Sequence, residues 1–206
     1  ACYNRLVMTQ HELNENESLL ATVSEKLQYK LKNDIKILNV VQFLEKYILP
    51  QLDELVKKPL SEDVACYYGC LLVRPNKVMK DARFEDPMSM DLIMQKLGAK
   101  AIDWPFKTEC CGAGFSVSKT EIVGELSGRI VRSAVDRGAK AIVVACPMCH
   151  SNLDMRRPAI ESYLKRKVDI PVIYITQAIA LAMGLTPKQA GLQRHFVPVN
   201  LSVTQN

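Results

Sequence analysis

The chain has 206 residues, 48% of them hydrophobic, and a formal net charge of +5 at neutral pH. That apolar share supports a sizeable core and excludes wholesale disorder; the length fits one domain, or one domain with an appended segment. No apolar run approaches the ~18 residues of a membrane span. The opening Ala1-Cys2-Tyr3-Asn4-Arg5 has no apolar signal region, and the basic residues lack the aromatic interleaving of a nucleic-acid binder.

In chain order, residues 12–31 predict an amphipathic helix, with Leu13, Leu20, Val23, Leu27 and Leu31 recurring at helical spacings. A second helix is expected over about 40–57, with Val41, Leu44, Ile48, Leu52 and Leu55 on one face and a kink or split at Pro50. The polar stretch 57–63 contains Pro59 and reads as a linker. It separates a helical segment, residues 1–60, from a domain, residues 61–206. In that domain strands are expected at 64–68, 100–104, 141–145 and 168–175. Helices are expected at about 87–97, 119–137, 147–165 and 176–183. A long loop, 71–86, carries Arg74, Lys77, Lys80 and Arg83, and the tail from Pro187 reads as irregular. Strands alternating with helices predict an α/β fold, a parallel sheet flanked by helices on both faces.

Five of the seven cysteines stand at three stations: Cys70, Cys110-Cys111 and Cys146-Pro147-Met148-Cys149, or C-x39-C-C-x34-C-x-x-C. All three are expected just after strands, at the carboxyl edge where open α/β sheets bind ligands. Thiolates select zinc, copper(I) or iron–sulfur clusters. Five thiols exceed the four of a tetrahedral zinc site or of an ordinary cubane cluster. Pro147 is expected to open a helix, with Cys149 in its first turn, where free N–H groups favour thiolate. Gly112 and Gly114 allow a tight turn whose N–H groups approach sulfur. Cys66 shares a strand face with Val64 and Tyr68 and is expected to be a core residue. Vicinal and C-x-x-C cysteines in an odd total point to a reducing compartment, the cytoplasm. Arg74 and Lys77 are candidates for holding an anionic substrate, although each alone reads equally as solvated surface. His150 is a candidate donor to sulfur, acid or substrate-binding group near the site, and reads equally as a capping or packing residue. Glu109 reads as a solvated carboxylate; Arg156, Arg157, Lys165, Arg166 and Lys167 read as a solvated or partner-facing helix end.

Tyr68-Gly69-Cys70-Leu71-Leu72-Val73-Arg74-Pro75, Cys110-Cys111-Gly112 and Cys146-Pro147-Met148-Cys149-His150 resemble the cysteine-rich CCG domain, and more narrowly the B subunit of heterodisulfide reductase. The resemblance covers about residues 64–198 and takes in the tail Arg194-His195-Phe196-Val197. It implies that Cys70, Cys110, Cys111, Cys146 and Cys149 ligate one non-cubane [4Fe-4S] cluster. It also implies reductive cleavage of a coenzyme disulfide of coenzyme M–coenzyme B type, as in methanogenesis. The implied partners are a ferredoxin-like C subunit and a flavoprotein A subunit. Ala1-Cys2-Tyr3-Asn4-Arg5 resembles the end of a preceding motif of the same kind. On that resemblance Cys2 is a ligand of a second, truncated site, and residues 1–60 are the remnant of a first CCG domain plus a connector. Two other readings stay open: an electron-transfer subunit of an organic-acid oxidoreductase, and a zinc-binding structural module. The fifth thiol favours the disulfide reading.

Overall fold

The apolar runs of the second half pair side by side. A computed structural model of the chain describes residues 2–79 and 83–201, the side chain of Lys77 excepted. Within it, β1 (Asp63–Tyr67), β2 (Lys100–Ala101), β3 (Ala141–Val144) and β4 (Val172–Tyr174) form a sheet in the order β2-β1-β3-β4. Every pair is parallel, with Val64 opposite Ala141 and Tyr67 opposite Val144, so β1 and β3 end level with each other. All four residues of β3 are buried, as a central strand covered on both faces requires.

Side chains alternate between two cores. Val64, Cys66, Tyr68, Ala141, Val143 and Ile173 face one core. Its other wall comes from α3 (Val40–Phe43), α4 (Leu52–Leu55), α7 (Ser89–Lys96) and α11 (Ile175–Ala182). Ala65, Tyr67, Ile142, Val144 and Val172 face the other core, walled by α8 (Thr120–Asp136) and α10 (Arg157–Leu164). The chain is therefore an α/β protein with helices on both faces of a parallel sheet. No helix among the described residues is long and apolar enough to cross a membrane.

Several elements differ from the sequence pattern. The expected helix 12–31 is two helices, Cys2–Glu15 and Glu17–Lys26. Asn16 breaks it: its side chain accepts the Leu19 N–H at 3.0 Å and caps the second helix. Of the expected apolar row only Leu13 is buried, and Leu27 is 60% exposed. The helix expected over 40–57 passes through a π turn (Leu44–Ile48) and a 3-10 turn (Leu49–Gln51), because Pro50 has no N–H to continue the ladder. The stretch read as a linker is packed: Leu60 is buried, its N–H donates to the Leu97 carbonyl at 2.8 Å, and the N–H groups of Lys57 and Lys58 donate to the Ala182 carbonyl. The last strand is shorter than expected; Pro171 lacks a donor just before it and helix α11 begins at Ile175. The loop after β1 contains two short helices, Cys70–Val73 and Asn76–Met79; Lys80 lies outside the described residues. The helix expected over 147–165 is divided into Pro147–His150, a π turn (Ser151–Met155) and α10.

Two features fix the segments that carry the cysteines. The first is close packing of α8 on α10, where a Cβ at Gly124 would stand 2.6 Å from the Ala159 carbonyl oxygen. The second is a buried polar network at the end of β1. The Tyr68 hydroxyl donates to Asp91 Oδ2 at 2.7 Å, and Lys107 Nζ lies 3.1 Å from Asp91 Oδ1 and 2.9 Å from Asp86 Oδ1. The Lys107 carbonyl also accepts the N–H groups of Tyr68 and Gly69, at 2.8 and 3.0 Å. Burial works against the charge on Lys107, yet Asp86 and Asp91 hold its pKa above the ordinary value; burial raises that of Asp91. Lys107→Met leaves the Asp91 carboxylate buried without its cation, and is expected to destabilise the chain by about 3–5 kcal/mol. Urea unfolding reads this as a lower midpoint at unchanged slope; an unmoved midpoint contradicts it.

Candidate metal centre

Adjacent strands β1 and β3 send the chain in opposite directions, one toward β2 and the other toward β4, the kind of switch point at whose carboxyl ends open α/β sheets bind ligands. Cys70 reaches this region through Gly69, whose φ of +69° suits glycine. A Cβ at Gly69 would lie 2.9 Å from the Cys149 sulfur and 3.6 Å from the Tyr67 ring, so only a bare backbone fits there. Cys146 stands two positions beyond β3, immediately before the short helix Pro147–His150 that carries Cys149. The vicinal pair arrives on a loop: residues 102–109 separate it from β2. Gly112, at φ +78°, turns that loop, and its N–H donates to the Cys110 sulfur at 3.3 Å.

The Cys111 and Cys149 sulfurs are 3.6 Å apart, both buried, while Cys70 and Cys146 are half-buried and Cys110 is exposed. The thiols perturb one another. Hydrogen bonding with Cys111 and Cys146, and then burial, pushes the Cys149 pKa well up. The same contacts with Cys149 lower Cys111 and bring Cys146 to about 5, with the N–H groups of Cys149 and Met148 further favouring the Cys146 thiolate. The thiolate favoured by the helix start is therefore Cys146, not Cys149: Cys149 turns inward onto other sulfurs. Burial and then the charge of Cys110 push Cys70 up to about 11. Tyr67 walls the site. It is fully buried, donates to the Glu109 carbonyl at 2.6 Å, and its pKa is raised by burial and by the sulfurs of Cys149, Cys111, Cys70 and Cys110. Cys66 is buried on the far face of β1, where burial raises its pKa.

The remaining candidates are scattered. Cys2 is exposed at the start of its helix. Arg74 is exposed and paired with Glu85 at 3.3 Å, and Arg83 pairs with Asp86. Lys77 lies in the helix Asn76–Met79, its side chain outside what is described. Arg157 is buried rather than solvated, donating to the Ile170 carbonyl at 2.9 Å. His150 is half-buried and stacks on Tyr174 with centroids 4.3 Å apart; its Nε2 lies 3.1 Å from the Val172 carbonyl and 3.2 Å from His195 Nδ1. Asp154 accepts the N–H groups of Phe196 and Val197, so His150, Asp154 and His195 together clasp the tail. Asn152, which donates to the Cys111 carbonyl, and Ser127, which does the same, escaped the sequence reading. The signal for Asn152 was its place just after the Cys146–Cys149 motif; Ser127, 16 positions after Cys111, carried none.

A family model described as a cysteine-rich CCG domain matches residues 64–154, the span that contains all five cysteines. The B subunit of a ferredoxin:CoB-CoM heterodisulfide reductase from Methanosarcina mazei is 30% identical, over 95% of this chain and 67% of its own length. This chain belongs to the family of heterodisulfide reductase B subunits. The 8-methylmenaquinol:fumarate reductase membrane anchor subunit of Wolinella succinogenes is 30% identical over 71% of the chain and 52% of its own. A hypothetical protein from Helicobacter pylori shares the fold, with a TM-score of 0.69 at 16% identity, over 93% of this chain and 35% of that one. The chain spans about two-thirds of the length of the heterodisulfide reductase relatives. Family and domain together make it an iron–sulfur electron-transfer subunit of oxidoreductase type.

The thiol acidities give a direct check on metal-free protein. At pH 7 the Cys146 thiolate exceeds that of Cys70 by ~4 powers of ten, and the lower intrinsic nucleophilicity of a low-pKa thiolate takes back ~3. Iodoacetamide is therefore expected to label Cys146 about tenfold faster than Cys70 at pH 7, with the preference lost by about pH 8–9 and reversed at higher pH. Equal rates at pH 7, read by peptide mass mapping, contradict the geometry.

Proposed function

We propose that Cys70, Cys110, Cys111, Cys146 and Cys149 hold one non-cubane [4Fe-4S] cluster, and that the chain serves in the reductive cleavage of a coenzyme disulfide of CoM–CoB type. The observation that supports this is the 3.6 Å contact of the Cys111 and Cys149 sulfurs, with the charges of Cys70, Cys110 and Cys146 acting on the same group of thiols. An all-sulfur donor set fits iron–sulfur chemistry, and the bare backbone at Gly69 leaves the sulfurs room. Zinc fits less well. It needs sulfurs about 3.8 Å apart, whereas the only three potential ligand atoms within 4.8 Å of one another among the described residues are those of His150, Asp154 and His195. Zinc would also leave one thiol over.

When bound, such a cluster supplies electrons one at a time next to an iron able to take an external sulfur. The protein's own groups decide how a substrate arrives. Buried Cys111 and Cys149 form the floor and exposed Cys110 the open rim, so a substrate approaches from the Cys110 side. Leu71 and Met148, exposed beside the cysteines, offer that rim apolar contact, and Arg74 and Lys77 lie on the loop proposed to take anionic groups. Electrons are proposed to come from a ferredoxin-like C subunit fed by a flavoprotein A subunit. We take residues 61–206 as the CCG domain and 1–60 as the connector and remnant of another, with Cys2 a ligand of a separate site. The likeness to a fumarate reductase component favours a second reading, an electron-transfer role that handles no disulfide.

The complex purified without oxygen is expected to oxidise reduced viologen when the coenzyme disulfide is added. Cys110→Ala is expected to lower that rate about tenfold or more, with loss of iron. Unchanged iron and rate contradict the ligand assignment; a native cluster whose electron paramagnetic resonance signal ignores the disulfide supports the second reading.

A further inference from the structure

Asn152 is fully buried in the π turn that follows Cys149. A π turn inserts one residue into the helical register and often marks a functional position; this one places Asn152 against a different cysteine station. Asn152 Nδ2 lies 3.0 Å from the Cys111 carbonyl oxygen and 3.7 Å from the Cys111 sulfur. The amide has two N–H groups, one for each acceptor. Its Oδ1 accepts from the Ser116 hydroxyl at 2.8 Å, and that hydroxyl also reaches the Ala113 carbonyl at 2.9 Å. The amide orientation is thereby fixed, because the Cys111 carbonyl can only accept. One side chain thus joins the Cys146–Cys149 segment to the Cys110–Cys111 loop and aims a neutral donor at a buried sulfur.

A hydrogen bond to a metal-bound thiolate stabilises the more negative, reduced state, and is one of the levers that set an iron–sulfur potential. We propose that Asn152 is a positioning residue for the cluster, and that its N–H to the Cys111 sulfur raises the cluster's reduction potential. The inference rests on the cluster reading above. Ser127 supplies an internal control, since its hydroxyl holds the same Cys111 carbonyl at 3.0 Å.

The test uses the full chain in its complex, purified without oxygen, with Asn152→Leu, Asn152→Asp and Ser127→Ala variants. Iron and sulfide are measured on each, and the midpoint potential is read by redox titration followed by electron paramagnetic resonance. Both Asn152 variants are expected to titrate at a more negative potential than the unsubstituted chain, Asn152→Asp the furthest, with Ser127→Ala unmoved. If Asn152→Leu fails to hold iron, Asn152→Asp decides, because it keeps the size and the acceptor for Ser116. Variants that hold iron and titrate at the native potential overturn the inference, as does an equal shift in Ser127→Ala, which would reduce the role to loop support. An unsubstituted chain without iron and sulfide overturns the cluster reading first, and this inference with it.

Discussion

The 3.6 Å contact between the Cys111 and Cys149 sulfurs is the one on which the rest of the architecture depends. Two buried thiols at that distance repel when both are ionised, so the metal-free protein keeps a proton between them and a bound centre needs positive charge. The surrounding structure holds them there regardless. Gly69 leaves no side chain between β1 and Cys149, Gly112 turns the vicinal pair inward, and Asn152 ties the two stations together. Strands β1 and β3 end level, with Cys70 three positions beyond one and Cys146 two beyond the other.

The distribution of polarity around this contact follows the same logic. On the sheet face away from the cysteines, the Tyr68–Asp91–Lys107 network stiffens the segment that leads to the vicinal pair. On the other face, Tyr67 stands near enough for four of the five cysteines to raise its pKa, while its hydroxyl donates to the Glu109 carbonyl rather than to sulfur. Beyond Cys149, the His150–Asp154–His195 clasp fastens the tail to β4 and the π turn. The site is thus rigid on its buried side and open at Cys110.

The α/β class and the family were legible because strands buried on both faces read as apolar runs, such as Ala141–Val144, and because thiols at such spacings are rare. The finer structure was not. The break at Asn16 is made by a side-chain cap inside an apolar period that runs on past it, and the π turn after Cys149 leaves no mark in local composition. Which thiol is acidic depends on the direction of side chains: Cys149 lies on the helix read as favouring its thiolate, yet the inward turn hands that role to Cys146. Of the basic residues Arg156, Arg157, Lys165, Arg166 and Lys167, only Arg157 is buried, because its guanidinium turns in to the Ile170 carbonyl. Asn152 was invisible because an asparagine near a motif gains meaning only when its partner 41 positions away is known.

The most direct measurement is the iron, acid-labile sulfide and zinc content of the chain purified without oxygen. The account predicts about four irons and four sulfides on the site formed by Cys70, Cys110, Cys111, Cys146 and Cys149, with negligible zinc. One zinc per chain and no sulfide would contradict it, and would make the converging thiols a structural site.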